Sequence, residues 1–358
     1  MSQIQASRRR SRSDAAGGLI GRGPLKKYLL AATAASLLGA APARANDTMA
    51  ELKTGGLVFV RSDAVEMESE DLYISEDEVR VDYVFRNTGG ADVESIVAFP
   101  MPEIEGNPWS DVAIPDREAD NMFQFTIEVD GKPFEPELER KAYAVGLDVT
   151  ELLRQHNVPL NPFAEATVEA VTKLPEAVKQ DWLARGMLVR ESWDAGEGMQ
   201  EHDVPVWSLR ATYWWRAKFP RGERISVRHR YQPSVGGTVA VTFMEDGKAT
   251  GEGLTEYRDK YCVDDAFLKS VERRAAENPD KVAPFYENWI SYVLTTGANW
   301  AGPIKKFRLV IDKGAAENLV SFCGTGVRKT GETTFEMTAE DFYPQQDINV
   351  LLLKKIEQ

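Results

Sequence analysis

Cysteine and histidine are scarce in this sequence, with 2 Cys and 3 His among 358 residues. The three histidines, His156, His202 and His229, are far apart, and the chain has neither a Cys-x-x-Cys nor a His-Glu-x-x-His motif. Protein zinc sites are built mainly from these residue types at close spacing. We therefore expect no metal site.

Other catalytic motifs are also missing from the sequence. It has no Walker P-loop, no Gly-rich dinucleotide fingerprint and no nucleophile elbow. We therefore expect no cofactor and assign no catalytic residue. Carboxylates are plentiful, and a glycoside hydrolase needs only two of them about 5–10 Å apart across a cleft. A hydrolase that uses a carboxylate pair stays open as an alternative.

The first 45 residues have the composition of a signal peptide. A basic segment is followed by the apolar run "YLLAATAASLLGAA", and "ARA" provides the small residues that signal peptidase requires. We place the start of the mature chain at Asn46, with a membrane anchor as the alternative. No later apolar run approaches the roughly 18 residues of a membrane-spanning helix. A periplasmic or secreted protein without stable membrane insertion is predicted.

Positive charge is in deficit once this segment is removed. The whole chain has a formal net charge of −13, and residues 1–45, with eight basic and one acidic residue, carry +7, which leaves −20 for the mature chain. Nucleic-acid binding depends on Lys and Arg side chains that neutralise phosphates. We therefore expect no nucleic-acid partner.

The two cysteines, Cys262 and Cys323, predict a disulfide, because an even count in an exported chain favours pairing. The alternative for Cys323, in "SFCGTG", is a nucleophilic thiol, which requires a base nearby.

Alternating apolar residues predict a mainly β protein. In "WSLRATYWWRAKFPRGERISVRHRY", residues 207–231, apolar side chains alternate with polar ones on both sides of a "PRGE" turn. We expect a long hairpin with a buried face that includes Trp207, Tyr213 and Trp215. The opposite face is cationic and carries Arg210, Arg216, Arg228 and Arg230. It is either a solvated surface with acidic neighbours or an anion-binding site, for which Arg210, Arg228 and Arg230 are the candidates.

Helical patterns are confined to two places. Residues 147–186 predict a small insert of three helices, with Asp148, Asn161 and Pro175 at their starts, and a further helix is predicted near 264–277. The expected organisation is a signal peptide at 1–45, a β-sandwich segment at 46–146, the helical insert at 147–186 and a β-rich segment at 187–358. The fold class is one or two antiparallel β-sandwich lobes.

The stretch "TGANWAGPI" lies between two predicted strands. Its Gly and Pro residues favour a turn, with Trp300 covering the edge of the core. The alternative is an exposed Trp300 that stacks on a ligand.

Three stretches of the sequence resemble a known family. "ANDTMAELKTGGLVFVRSDAVEMESEDLYIS", "VRVDYVFRNTGGADVESIVAFPMP" and "TTGANWAGPIKKFRLVID" are similar to exported bacterial proteins grouped as domain of unknown function 4424. The resemblance covers residues 45–354 and implies no activity. Residues 79–145 also resemble the β-sandwich domain of vault and inter-alpha-trypsin-inhibitor proteins, which implies a sandwich scaffold. That family's adhesion motif, Asp-x-Ser-x-Ser, is absent here.

These observations together predict an exported, acidic, non-enzymatic protein. Its partner would be an envelope protein or a glycan.

Overall fold

The computed structural model describes residues 46–53, 56–107, 111–194, 196, 198–251 and 253–356. The predicted signal peptide at 1–45 lies outside these residues. The described chain is mainly β with five helices, which confirms the predicted fold class. None of its helices has the length and apolar character needed to cross a membrane.

The strands of the first half alternate with short turns. In chain order they are β1 Thr48–Lys53, β2 Gly56–Val60, β3 Val65–Ile74, β4 Val79–Asn87, β5 Val93–Pro100, β6 Asp111–Ala113, β7 Thr126–Val129, β8 Lys132–Phe134, β9 Glu137–Ala144 and β10 Leu147–Asp148.

The second half holds thirteen of the described strands and all five helices. The strands are β11 Leu188–Asp194, β12 Met199–Pro205, β13 Ser208–Phe219, β14 Arg224–Tyr231, β15 Val235–Thr238, β16 Met244–Glu245, β17 Lys248–Ala249, β18 Phe285–Tyr292, β19 Ile304–Asp312, β20 Leu319–Phe322, β21 Arg328–Lys329, β22 Thr334–Phe342 and β23 Ile348–Lys355. The helices are α1 Thr150–Gln155, α2 Glu165–Thr172, α3 Glu176–Ala184, α4 Gly253–Tyr261 and α5 Asp265–Ala276, with a 3-10 turn at Thr295–Asn299.

Three sheets form the core. An eight-stranded sheet has the order β21-β22-β19-β3-β4-β14-β7-β8, a six-stranded sheet β10-β9-β13-β5-β1-β2, and a five-stranded sheet β20-β23-β18-β15-β6. The inner residues of β4 and β14 alternate strictly with exposed or half-buried ones, as period-two strands require. One hydrophobic cluster joins side chains of all three sheets, so both smaller sheets pack on the same face of the eight-stranded sheet.

The prediction that residues 207–231 form one hairpin is wrong, although the predicted faces are right. Trp215 is only 3 % exposed, as expected. However, β13 pairs with β5 and β9, and β14 pairs with β4 and β7. The "PRGE" turn therefore carries the chain from one layer of the sandwich to the other. Alternation specifies the face of a strand that is buried, but it does not specify which strand lies beside it.

The helices lie outside the sheets. Helices α1 to α3 fall within the predicted insert and pack with Trp207 in a cluster of their own. Two predicted starts are displaced: α1 begins after Val149 rather than Asp148, and α2 begins after Ala164 rather than Asn161. In both cases the predicted cap instead forms a turn, because its side chain accepts a hydrogen bond from the backbone two residues on. Helix α4 has no counterpart in the prediction.

The disulfide prediction is confirmed. Cys262 and Cys323 are bonded with their Cα atoms 5.0 Å apart, and no cysteine is free among the described residues. The bridge joins the end of α4 to the end of β20. Because Cys323 is bonded, it is not the free thiol that a nucleophile requires.

Candidate functional site

The corner formed by the 3-10 turn Thr295–Asn299 and the following Trp300 holds the start of the predicted mature chain. Thr296 Oγ1 donates to the carbonyl of Asn46 at 2.8 Å, and Trp300 Nε1 donates to the carbonyl of Asp47 at 2.6 Å. Asn299 Nδ2 donates to Thr48 Oγ1 at 2.9 Å. Side chains of one short corner therefore bind three successive residues. Two of the sequence stretches that resemble the family meet at this place.

Trp300 is completely buried at 0 % exposure. Its ring packs on Phe85, with centroids 4.4 Å apart, and on the edge of Phe219. The expectation that Trp300 covers the core is in agreement with this position. An external ligand has no access to its face, so the alternative of an exposed stacking residue is not supported.

Beneath this corner lies a group of polar side chains that we call the buried polar cluster: Asn46, Asp47, Glu70, Tyr83, His229 and Tyr292. Each has an exposure of 1 % or less. His229 occupies an inward position of β14, where its Nε2 lies 2.9 Å from Asp47 Oδ1. The rings of Phe99, Phe125 and Trp215 surround the imidazole with centroids 4.9–5.4 Å away. An aromatic wall thus separates this polar pair from water.

Glu70 enters the cluster through an irregularity in β3. The register with β4 shifts between Met67 and Ser69, so Glu70 points inward where simple alternation would face it to solvent. Its carboxylate accepts from Asn46 Nδ2 at 3.2 Å and from Tyr292 Oη at 3.4 Å. Tyr83 Oη lies 3.0 Å from Tyr292 Oη and donates to Asn46 Oδ1 at 2.5 Å.

Burial dominates the electrostatics of the cluster. It raises the pKa of Glu70 to about 8, against the opposing effect of the hydrogen bonds from Asn46 and Tyr292. Burial also raises the pKa of Asp47, although His229 partly offsets it. No ion pair of the described residues includes Glu70, and Asp47 Oδ2 has no hydrogen-bond partner among them. His229 Nδ1 also has no hydrogen-bond partner among the described residues, so the Asp47–His229 pair has one unpartnered atom on each side chain.

An open groove lies elsewhere, at the edge of the five-stranded sheet. Two clefts of about 660 and 1030 Å³ share four lining residues, Glu76, Asp77, Tyr286 and Ile356, and we call them together the edge groove. The turn between β3 and β4 provides the two acids, and β18 provides Tyr286. Val239, at the end of β15, is 90 % exposed beside it.

Polar groups converge beside the Tyr286 ring. Asn288 Nδ2 donates to Glu76 Oε1 at 2.7 Å, and Lys354 pairs with the second oxygen of Glu76. The Lys354 ammonium also lies 5.9 Å from the Tyr286 ring centroid. Partial burial lowers the pKa of Lys354, but the contact with Glu76 outweighs it and the net shift is upward. The arrangement offers one aromatic face with an amide, a carboxylate and an ammonium around it.

The arginines predicted as ligand contacts lie in two separate places. Arg228 and Arg230 project from the outer face of β14, where they pair with Asp82 and Glu78. Arg210 lies on β13 in the other layer, pairs with Glu103 and stacks on the Tyr143 ring at 4.1 Å. The three do not form one site, because β13 and β14 belong to different sheets. Ligand binding at either place stays a prediction.

Sequence reasoning missed the edge groove and most of the buried polar cluster. His229 was the detectable member, since it occupies a core-facing position between Val227 and Tyr231 in the alternating pattern. Among the described residues, no group of His, Cys, Asp and Glu side chains is arranged to hold a metal ion.

Comparison with known protein families identifies the family of this chain. The family model described as a domain of unknown function, DUF4424, matches residues 45–351. The chain belongs to this family. No curated protein matches it. The similarity of residues 79–145 to vault and inter-alpha-trypsin-inhibitor domains stays a prediction.

Among solved structures, the DUF4424 chain is similar to a protein of Legionella pneumophila that is provisionally described as a nutrient binding protein. The identity is 15%, the alignment covers 87% of this chain and 70% of that one, and the TM-score is 0.42.

Proposed function

We propose that the protein is exported through cleavage before Asn46 and acts as a non-catalytic binding protein of the cell envelope, with a glycan bound in the edge groove. The observation that carries this proposal is the convergence of Asn288, Glu76 and Lys354 around the half-buried Tyr286 side chain. Sugars present an apolar ring face and hydroxyl groups at its edge. An aromatic ring surrounded by polar side chains that donate and accept hydrogen bonds matches both.

The distribution of carboxylates supports binding over hydrolysis. A carboxylate pair that catalyses hydrolysis must reach its substrate, and one member needs a raised pKa. The two acids whose pKa burial raises in the cluster, Asp47 and Glu70, are sealed in the core at 0 % and 1 % exposure. In the groove, Glu76 is already engaged by Asn288 and Lys354.

Export is supported by the disulfide. A bridge between Cys262 and Cys323 persists in an oxidising compartment such as the periplasm or the extracellular space. The acidic chain, with its formal net charge of −13, also suits a protein that stays apart from anionic surfaces.

The test compares Tyr286→Ala with Tyr343→Ala, which removes a tyrosine that is 52 % exposed outside the groove. The purified exported protein is screened on an array of bacterial envelope glycans, and affinities are measured by calorimetry. We expect Tyr286→Ala to weaken binding at least about tenfold, or about 1.4 kcal/mol, and Tyr343→Ala to leave it unchanged. A glycan bound equally well by both variants, or by neither, would contradict the proposal.

A further inference from the structure

We propose that cleavage of the signal peptide creates a cation inside the buried polar cluster, where the new α-ammonium group of Asn46 becomes the counter-ion of Glu70. This inference rests on the cleavage before Asn46 proposed above. In the precursor the same nitrogen belongs to a neutral peptide bond. After cleavage it is an amine whose usual pKa is about 7.7–8.0, so that a neighbouring carboxylate favours its charged form.

The amine is formed at the cluster because Asn46 is part of it. Asn46 is 0 % exposed, and its side-chain nitrogen lies 3.2 Å from Glu70 Oε2. Covalent geometry keeps the α-nitrogen of an asparagine within about 5 Å of its own side-chain nitrogen. The backbone is held in place from the other side, since the Asn46 carbonyl accepts from Thr296 and the next carbonyl accepts from Trp300.

The cluster lacks one positive charge. It has two carboxylates, Asp47 and Glu70, and its one ionisable base, His229, contacts Asp47. Ion pairs between the described residues bring no lysine or arginine to either acid. A buried carboxylate without a counter-ion is unfavourable, and an α-ammonium group supplies both the charge and three N–H donors.

The unpartnered acceptor is an independent sign of the same deficit. Asp47 Oδ2 is buried and accepts no hydrogen bond from the described residues. The two carboxylates also repel each other, since Asp47 contributes to the raised pKa of Glu70. One ammonium placed between them offsets this repulsion. The exported chain would then reach its full stability only after its leader is removed.

The first experiment measures the accessibility of the amine. The full chain is expressed with export, the N-terminus of the purified protein is determined by mass spectrometry, and primary amines are acetylated under native and unfolding conditions. We expect the Asn46 amine to react at least about tenfold more slowly in the native protein than in the unfolded one, because the native site is closed to solvent. Exposed Lys53 is the internal reference for a freely reacting amine. An Asn46 amine that reacts as fast as Lys53 in the native protein would overturn the inference.

The second experiment tests the pairing with Glu70. Insertion of Gly-Ser between Ala45 and Asn46 leaves the cleavage sequence intact and moves the new amine two residues away from the cluster. We expect the insertion to shift the unfolding equilibrium at least about 100-fold towards the unfolded state, because breaking a buried ion pair is strongly destabilising. In the Glu70→Gln background the insertion should have a much smaller effect. Equal effects in both backgrounds would show that the amine does not pair with Glu70.

The two proposals fail in different ways. If mass spectrometry finds the leader still attached, or cleavage at another position, the proposed cleavage before Asn46 is refuted, and so is the inference that depends on it. If the chain begins at Asn46 but the amine reacts freely, the inference alone falls. Glycan binding that depends on Tyr286 is independent of both outcomes. Should Glu70→Gln fail to fold, the native acetylation of the wild-type protein still decides the accessibility of the amine.

Discussion

Arg228 and His229 are neighbours on β14, and each contacts a carboxylate, yet their surroundings are opposite. Arg228 points out of the sandwich, with 45 % of its side chain exposed, and pairs with Asp82 and Glu128. His229 points inward and faces Asp47, with both side chains at 0 % exposure. The same kind of contact is therefore solvated on one face of the sheet and sealed on the other. Burial, rather than pairing itself, decides how much each contact matters for stability.

The outer face of the eight-stranded sheet carries several exposed ion pairs. Its charges balance locally, in pairs such as Arg224 with Glu68, Arg228 with Asp82, Arg230 with Glu78 and Arg308 with Asp71. Water screens such pairs, and each contributes about 0–1 kcal/mol. This pattern is what we expected of a solvated sheet surface with acidic neighbours.

The inner face concentrates its polarity in one place. Here Asn46 links Glu70 and Tyr83, Tyr292 contacts both of these side chains, and Asp47 contacts His229. Burial raises the pKa of Glu70, Asp47, Tyr83 and Tyr292. In such surroundings the loss of one partner leaves another group unsatisfied, which is far more costly than the loss of a surface pair. The following experiments test this difference, from the largest expected effect to the smallest.

The largest effect is a pH dependence that comes from Glu70. Its pKa rises from 4.5 to about 8 on folding while the Asn46 nitrogen remains an amide. The folded state then binds the proton more tightly, so this stability is complete below pH 4.5 and is lost as the pH rises towards 8. For the Gly-Ser-extended chain we expect a loss of at most about 5 kcal/mol across this range.

Urea unfolding at several pH values measures this loss. Glu70→Gln in the same extended chain should remove most of the slope, because glutamine does not titrate. The chain that begins at Asn46 should show a weaker slope, since the ammonium lowers the pKa of Glu70. An identical slope in the extended chain and its Glu70→Gln variant would mean that Glu70 does not cause it.

The second effect concerns the aromatic wall of the cluster. Trp215 is 3 % exposed and its ring meets the edge of His229 at 5.4 Å, whereas Trp214 points out of the other face of β13 and is half-buried against Ala50 and Ala98. Trp215→Ala should lower the free energy of unfolding by about 3–5 kcal/mol. Trp214→Ala, the matched control, should cost about 1–2 kcal/mol. Chemical denaturation measures both, and equal costs would show that the two faces of β13 are not distinguished by burial.

The third effect is the loss of the buried histidine. His229→Ala leaves Asp47 without its partner and should destabilise the protein by about 3–5 kcal/mol at neutral pH. Adding Asp47→Asn should recover part of this loss, because the unpaired charge is then gone. A double variant as unstable as the sum of the two single variants would show that the two side chains are not coupled.

The sequence carries enough information for the faces of the strands but not for their partners. The alternation around Trp215 and Val227 identified the buried sides correctly, because each side chain's direction is fixed by its own strand. The pairing of β13 and β14 could not be obtained in this way, since it depends on strands that are distant in sequence. Cys262 and Cys323 could be paired because the chain offers no other cysteine.

The candidate site escaped prediction for two further reasons. Glu70 is turned inward by an irregularity of β3 that the local sequence does not mark, and Asn46 is held by Thr296, which lies 250 residues further along the chain. Tyr286 and Glu76 come together from segments more than two hundred residues apart. A contact of that kind is created by the packing of sheets, and no local periodicity predicts it.

The smallest effect is expected at Arg228, the exposed neighbour of His229. Arg228→Ala should change the free energy of unfolding by about 0–1 kcal/mol, and added salt should reduce even that difference, because the pair with Asp82 lies in water. Arg228→Glu places a third acid beside Asp82 and Glu128 and should still cost much less than His229→Ala. Denaturation of the three variants side by side measures the contrast.

If Arg228→Glu keeps the fold but abolishes binding of an anionic envelope ligand, the predicted anion site on this face is correct, and these ion pairs are more than a solvated surface. If Arg228→Ala proves as destabilising as His229→Ala, burial does not separate the two faces.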